Sequence, residues 1–382
     1  TNEKKADQLS VSAMGGQYGL YSLSAATAFH IRNTTHNLQA SNSASDGFTH
    51  NTDYKAFNLF YSGTAGKSQK LEYQASYMKK AFGANSFYTT KYPDQYEITQ
   101  TIFASARYKT HFKGFAPAVY FRRHYDEFRL FRNEAPAWYT SHNYHYTDVV
   151  GSNANLWTST GKQAKLSVGY DVRYEQIRSN KLGDSLNTPI PVKGVEGIYY
   201  TLGKNRTSAG LFVEESVNIK KFSVSAGLLA SYLSALPGKI TIYPGLDAAY
   251  QLRNNFRIYF NANRTLRLPT FTDLYYNDPT SKGDPNLKPE EAVTIETGLK
   301  YNIPGIISHV AIFKRYGHNM IDWVRTTESE PWQATNITDI NVAGIETSIA
   351  FNMEELVPGN SFLKTLTFGY AYLKADKSSD EF

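Results

Sequence analysis

The chain has 382 residues, no Cys, and 40 basic against 34 acidic side chains for a formal net charge of +6. Thiol catalysis, zinc–thiolate sites and structural disulfides are excluded, and the charge is too small and scattered to indicate nucleic acid. The 29 Tyr, 22 Phe and 4 Trp against 14 Pro favour ring-rich β-structure over disorder, and the absence of any apolar run of about 18 residues excludes a transmembrane helix but not membrane-spanning strands.

Taken in chain order, the opening TNEKKADQ carries no apolar segment of the signal-peptide kind. Strands then alternate with connections of two sorts. Short turns are predicted near residues 31–36, 63–69, 109–113, 160–163, 219–221, 253–255, 302–306 and 354–360. Long connections are predicted near 43–51, 82–95, 130–142, 178–204, 267–289 and 327–335, with shorter ones near Gly15 and Leu236. The string GTAGKS at 63–68 imitates a phosphate loop, but it lacks the required first glycine and precedes no helix, so it reads as a turn. Helix signals are nearly absent.

Period two is clearest at 164–175, where Ala164, Leu166, Val168, Tyr170, Val172 and Tyr174 alternate with Lys165, Ser167, Gly169, Asp171, Arg173 and Glu175. The same division recurs for Phe222, Val224 and Leu228 against Ser223, Ser225 and Gly227, for Ile258 and Phe260 against Arg257 and Tyr259, and for Ile295 and Leu299 against Glu296 and Gly298. A Lys or Arg on lipid costs about 2–4 kcal/mol at the bilayer midplane, so sorting charge onto one face suits a barrel with a lipid-facing surface and a wet interior. Short turns on one rim and long loops on the other also fit a bacterial outer-membrane barrel. The fold expected is therefore all-β, an antiparallel up-and-down transmembrane β-barrel forming a single domain over residues 1–382.

The pass gives about 17 strands, an odd number that does not close an antiparallel barrel. Large transporter barrels have about 22 strands around a plugged lumen. Roughly five C-terminal strands and the plug are thus expected to lie outside the sequence.

The most informative segment is 263–298, NRTLRLPTFTDLYYNDPTSKGDPNLKPEEAVTIETG. Pro269, Pro279, Pro285 and Pro289 restrict it, so that a loop of this length is stiff rather than floppy. RLPTFTDLY, then GDPNLKPE, then an alternating strand with Glu296 and Gly298, resembles the signature of TonB-dependent outer-membrane receptors. NVAGIET, with Gly344 and Glu346, resembles a second recurring element of the same family. The signature residues are Arg267, Pro269, Asp273, Tyr275, Asp284, Pro285, Asn286, Pro289 and Glu290. Read without the resemblance, DPNLKPEE is a turn launching the next strand.

The resemblance implies a receptor and transporter in the cell outer membrane of a Gram-negative bacterium. It implies coupling to the TonB–ExbB–ExbD complex through the absent plug, contact with lipid and lipopolysaccharide, and pairing with a surface lipoprotein. No enzyme is expected, since HExxH and GxSxG are absent. Haem receptors of this superfamily carry a His in the signature loop, and FTDLYYNDPTSKG has none. Residues 79–97, KKAFGANSFYTTKYPDQYE, and 45–54, SDGFTHNTDY, resemble the cobalamin receptors of Bacteroidetes. The transported ligand expected is cobalamin (vitamin B12) or another corrinoid. A siderophore receptor of the same fold, an adhesin and an outer-membrane barrel enzyme are the alternatives.

Cobalamin is large and amide-fringed, so its pocket should combine ring faces with hydrogen-bonding groups. Phe87, Tyr88, Tyr92, Gln95 and Tyr96 offer these in one long loop, and Trp138, Tyr139, Tyr144 and Tyr146 in the next. The alternative for any of these rings is an interfacial aromatic girdle. In the cobalamin family early loops bind calcium through aspartates. Asp46 and Asp53, with Asn51, are the matching oxygen donors here. His142 and His145, three apart, are a weaker candidate for metal.

Overall fold

A computed structural model describes residues 8–67, 70–87, 90–110, 112, 114–235, 240–278, 280–327, 329–359 and 362–379. Its first strands are β1 (Gln8–Gly15), β2 (Tyr21–Ile31), β3 (Thr34–Ser45), β4 (Tyr54–Ala65), β5 (Lys70–Gly83), β6 (Tyr96–Lys109), β7 (Ala118–Arg129), β8 (Asn143–Ser159) and β9 (Ala164–Ser179). There follow β10 (Asp184–Pro191), β11 (Tyr199–Ile219), β12 (Phe222–Leu233), β13 (Ile240–Arg253), β14 (Phe256–Arg267), a helical turn α1 (Phe271–Tyr275), and β15 (Ser281–Lys282). The remainder is β16 (Glu290–Ile303), β17 (Ile306–Val324), β18 (Trp332–Asn352), α2 (Met353–Leu356) and β19 (Thr365–Ser379). Among the described residues no helix is long and apolar enough to cross a membrane.

Contacts divide the chain into two compact units, one built mainly on β1–β8 and the β10–β11 hairpin, the other mainly on β12–β14 and β16–β19. In the first unit each of β1 to β8 pairs antiparallel with its sequence neighbour. In the second, β12, β13, β14, β16, β17, β18 and β19 form an antiparallel series in that order. The tiny β15 is the exception and pairs parallel to the start of β18. The described residues hold nineteen strands against the about seventeen expected, and the two extra are β10 and β15, which lie inside connections predicted as loops.

The alternation seen in the sequence is the alternation of faces. Leu23, Leu38, Leu59, Val168, Tyr170, Val172, Tyr174, Val224, Leu228, Ile258, Phe260, Ile295 and Leu299 are exposed, while Gly169 and Glu175 on the opposite face of β9 are buried. Exposed apolar faces of this kind, present in each unit, are the mark of a membrane or a partner. The long strands exceed the roughly 9–11 residues that cross a bilayer; β8 has 17 residues, and β11 and β18 have 21 each.

On the polar face, four strand glycines among the described residues receive the aromatic ring of their direct cross-strand partner: Gly63 takes Tyr73, Gly151 takes Tyr120, Gly298 takes Tyr259 and Gly344 takes Phe313. A Cβ at Gly298 would lie 2.5 Å from the Tyr259 ring, and one at Gly344 2.6 Å from the Phe313 ring. The ring covers backbone that glycine leaves bare, which pins register in a sheet. This gives Gly298 and Gly344 a packing reason.

Two expectations need correcting. Residues 178–204 are not one open loop, because β10 folds back on the start of β11, with Asp184 opposite Gly203 and Ile190 opposite Tyr200. The register breaks between Ser185 and Ile190, and this stretch contains Pro189, which has no N–H for the ladder. Residues 267–289 also hold local structure, namely α1 and β15. Among the described residues no separate helical domain accompanies the strands.

Candidate functional site

The long loops β3–β4, β5–β6 and β7–β8 converge on one side chain. Arg132 donates from Nη1 to Asp53 Oδ1 at 2.5 Å and to Asn51 Oδ1 at 3.1 Å, and from Nη2 to Asp53 Oδ2 at 2.9 Å. Its backbone N–H donates to the Asp94 carbonyl at 2.9 Å, and its guanidinium lies 4.2 Å from the Tyr96 ring centroid. A bidentate guanidinium–carboxylate pair fixes orientation as well as distance, and stacking on a ring adds to it.

Asparagines complete the junction. Asn51 Nδ2 donates to the carbonyls of Pro93 and Gln95 at 2.9 and 2.6 Å, and Asn85 Nδ2 to that of His50 at 2.8 Å. Asn51 has φ +53°, a left-handed conformation that asparagine tolerates better than most residues. His50 Nε2 lies 2.5 Å from Asp94 Oδ1. Asp53 is held below the usual carboxylate range by its hydrogen bonds to Arg132, which in turn raise the guanidinium pKa.

Next to this junction stands an aromatic shelf centred on Phe131. The rings of Tyr92, Trp138 and Tyr139 meet it edge-on at centroid distances of 5.6, 5.7 and 5.5 Å. Tyr139 OH accepts the Leu130 N–H at 3.0 Å and contacts His142 Nδ1 at 3.3 Å. Burial lowers the His142 imidazole pKa, with Arg129 adding to the effect, and burial raises that of the Tyr139 phenol. The nearby Arg129 is held by Glu127 at 2.6 Å. The shelf therefore presents rings and hydrogen-bonding groups beside guanidinium groups that already have carboxylate partners.

The residues expected to contact ligand fall into different classes. Tyr92, Trp138 and Tyr139 are brought together on the shelf, with Trp138 61% exposed. Phe87 is 71% exposed and Tyr96 lies under Arg132. Gln95 is only 2% exposed and its Oε1 has no partner. Tyr144 is 6% exposed in a core cluster with Val192 and Tyr200. Tyr146 packs edge-on against Tyr200 and under Arg123, which pairs with Asp148. Tyr88, Pro279 and Leu236 lie outside the described residues.

Calcium does not fit the oxygens proposed for it. Both carboxylate oxygens of Asp53 are taken by Arg132, while the Asp46 carboxylate sits over Gly19, where a Cβ would come within 2.2 Å of it. Among the described residues no group of three or more His, Asp or Glu side chains is arranged to hold a metal ion. His142 and His145 point to different partners, Tyr139 and Ser179.

The signature segment folds tightly in the second unit. Arg267 and Glu290 are cross-strand partners and form a two-pronged ion pair, Nη2 to Oε1 at 2.7 Å and Nε to Oε2; Glu290 Oε1 also accepts the Ile321 N–H at 2.8 Å. Thr270 caps α1 reciprocally with Asp273, the side chain of each accepting the other's backbone N–H at 3.0 and 2.9 Å. Asp284, Pro285, Asn286 and Leu287 make a turn in which Asp284 Oδ1 accepts the Asn286 N–H at 2.8 Å, with proline at its favoured second position. Gly283 permits close passage, since a Cβ there would lie 2.6 Å from the Asp273 carbonyl oxygen.

Leu274, Leu287 and Ala334 bury themselves together under Tyr275, Ile321 and Trp323. Asn336 then ties Lys288, accepting its N–H at 2.8 Å and donating to its carbonyl at 3.1 Å. The signature residues thus build the loop and launch β16. Phe131, Arg132, Asn85 and Asn336 organise the loops without having stood out in the sequence, because their partners are up to 81 residues away.

The sequence matches the family described as "TonB dependent receptor-like, beta-barrel" over residues 7–381. It is 34% identical over 85 residues to the vitamin B12 transporter BtuB of Vibrio vulnificus, a stretch covering 22% of this chain and 13% of that protein. The fold is similar to the siderophore receptor PirA of Pseudomonas aeruginosa (TM-score 0.71, 14% identity, 98% of this chain and 66% of that one). It is also similar to the iron transporter FrpB of Neisseria meningitidis (TM-score 0.74, 13% identity, 99% and 62%). The chain thus spans about two thirds of these structures and a small part of the curated relative, and at such identities the structures speak to fold alone. With the family match running across both compact units, the chain belongs to the TonB-dependent receptor β-barrel family, and its fold is the all-β, antiparallel barrel fold of those receptors.

Proposed function

We propose that the chain is the barrel part of an outer-membrane receptor for TonB-coupled uptake of cobalamin or a related corrinoid. The observation that carries this reading is the partial sequence similarity to a vitamin B12 transporter, 34% over 85 residues. The shelf around Phe131 supports it, since a large, amide-fringed ligand is met by ring faces and hydrogen-bonding groups. The narrower likeness to Bacteroidetes receptors rests on residues 45–54 and 79–97 alone.

In this reading the long loops face outward and capture the ligand, and a plug segment coupled to TonB and its ExbB–ExbD partners releases it inward. Lipid and lipopolysaccharide cover the exposed apolar face, and the chain carries out no chemistry of its own. The test is uptake of radiolabelled cyanocobalamin by cells that depend on this receptor, with and without TonB. Saturable uptake that requires TonB is expected. Uptake of a ferric siderophore but not of cobalamin would replace the corrinoid with an iron chelate and leave the fold assignment intact.

A further inference from the structure

We infer that Arg132 is a positioning residue for ligand capture, an internal cation that fastens three long loops together in the place where a bound divalent cation would otherwise be needed. The inference rests on the receptor reading only for the identity of the ligand.

The geometry is that of a cation-centred junction. Asp53 and Asn51 come from the β3–β4 loop, the Asp94 carbonyl and the Tyr96 ring from the β5–β6 connection and the start of β6, and Arg132 itself from the β7–β8 loop. Three side-chain oxygens and a ring face surround one guanidinium, and a backbone bond anchors its own main chain to the second loop. Loops of this length lose much conformational entropy when ordered, so a single charged side chain that satisfies several partners at once is an effective staple. Guanidinium stays protonated at every physiological pH, so the junction needs no ion from solution.

Phe131, the centre of the shelf, is the residue immediately before Arg132, and Tyr92, which packs on it, is two residues before Asp94. Fixing Arg132 therefore fixes the shelf. Arg132 does not have to touch the ligand for its loss to matter.

The experiment uses the native receptor, its Arg132→Ala and Arg132→Lys variants, amide hydrogen exchange, and cyanocobalamin binding in detergent. Arg132→Ala should speed exchange by about 10-fold or more in residues 46–53, 84–87, 90–95 and 130–142 together, while the melting temperature of the barrel stays within a few degrees. Cobalamin affinity should fall by about 10-fold or more and recover in part in Arg132→Lys, which keeps charge but loses the bidentate fork. EDTA or millimolar Ca²⁺ should leave wild-type exchange unchanged.

The inference is overturned if Arg132→Ala leaves exchange in all three loops unchanged, or if EDTA loosens the wild type to the level of that variant. If the wild type binds no cobalamin, the corrinoid reading fails, and the exchange data still decide the role of Arg132.

Discussion

Replacing Arg267 by Ala isolates the ion pair at the base of the signature loop. Glu290 is 7% exposed and accepts from Arg267 Nε and Nη2 and from the Ile321 N–H, so the substitution strands a buried carboxylate with one donor left. Breaking a buried pair typically costs about 3–5 kcal/mol. The Arg267 side chain is half exposed and the Ile321 bond survives, which reduces the expected cost to about 1.5–3 kcal/mol.

Because the pair joins the end of β14 to the start of β16, the loss should be local. Amide exchange at Gly283, Asp284, Leu287 and Ile321 should rise by about 10- to 100-fold, with exchange in the β12–β13 ladder unchanged. Adding Glu290→Gln should recover much of it, since a neutral amide oxygen still accepts from Ile321 and no charge is left unpaired. A cost under about 0.5 kcal/mol for Arg267→Ala, or a double variant less stable than the single one, would refute the reasoning.

Further expectations concern packing and pH. Gly298→Ala places a methyl group against Tyr259 and disturbs its bonds to Glu296 and His309 at 2.9 and 2.7 Å; urea unfolding in lipid should show a loss of about 1–3 kcal/mol, relieved by adding Tyr259→Ala. Gln95→Met removes a buried amide oxygen that has no partner, so its stability should match or exceed that of the wild type, and a loss above about 1.5 kcal/mol would mean that the amide is engaged. For pH, the folded pKa values of His142 and Asp53 are both lowered, so each contributes stability above its unfolded value that is lost as pH falls. Trp138 fluorescence should therefore report loosening of the shelf below about pH 6.5 and again below about pH 4, and loosening between pH 7 and 9 would contradict both assignments.

What could be read in the sequence follows the range of the interactions concerned. Face alternation is a two-residue period, so the apolar face of β9 and the polar position of Gly298 were legible, as were the turns and long loops that separate most of the strands. The β10–β11 hairpin was hidden because Pro189 reads as a loop residue and the strand breaks register around it. The α1 turn is only five residues long, though Thr270 followed by Asp273 was a usable capping signal. The junction on Arg132 was not legible, because its partner Asp53 lies 79 residues away and nothing local distinguishes this arginine from its neighbours. The same distance explains why Asp53 reads as a calcium ligand in the sequence, where its pairing with Arg132 cannot be seen.

The central claim is tested most directly by equilibrium binding of cyanocobalamin and of ferric siderophores to the native receptor in detergent. Saturable cobalamin binding, unaffected by EDTA and without competition from ferric chelates, is the predicted result. Saturable binding of a ferric chelate with none of cobalamin would contradict it.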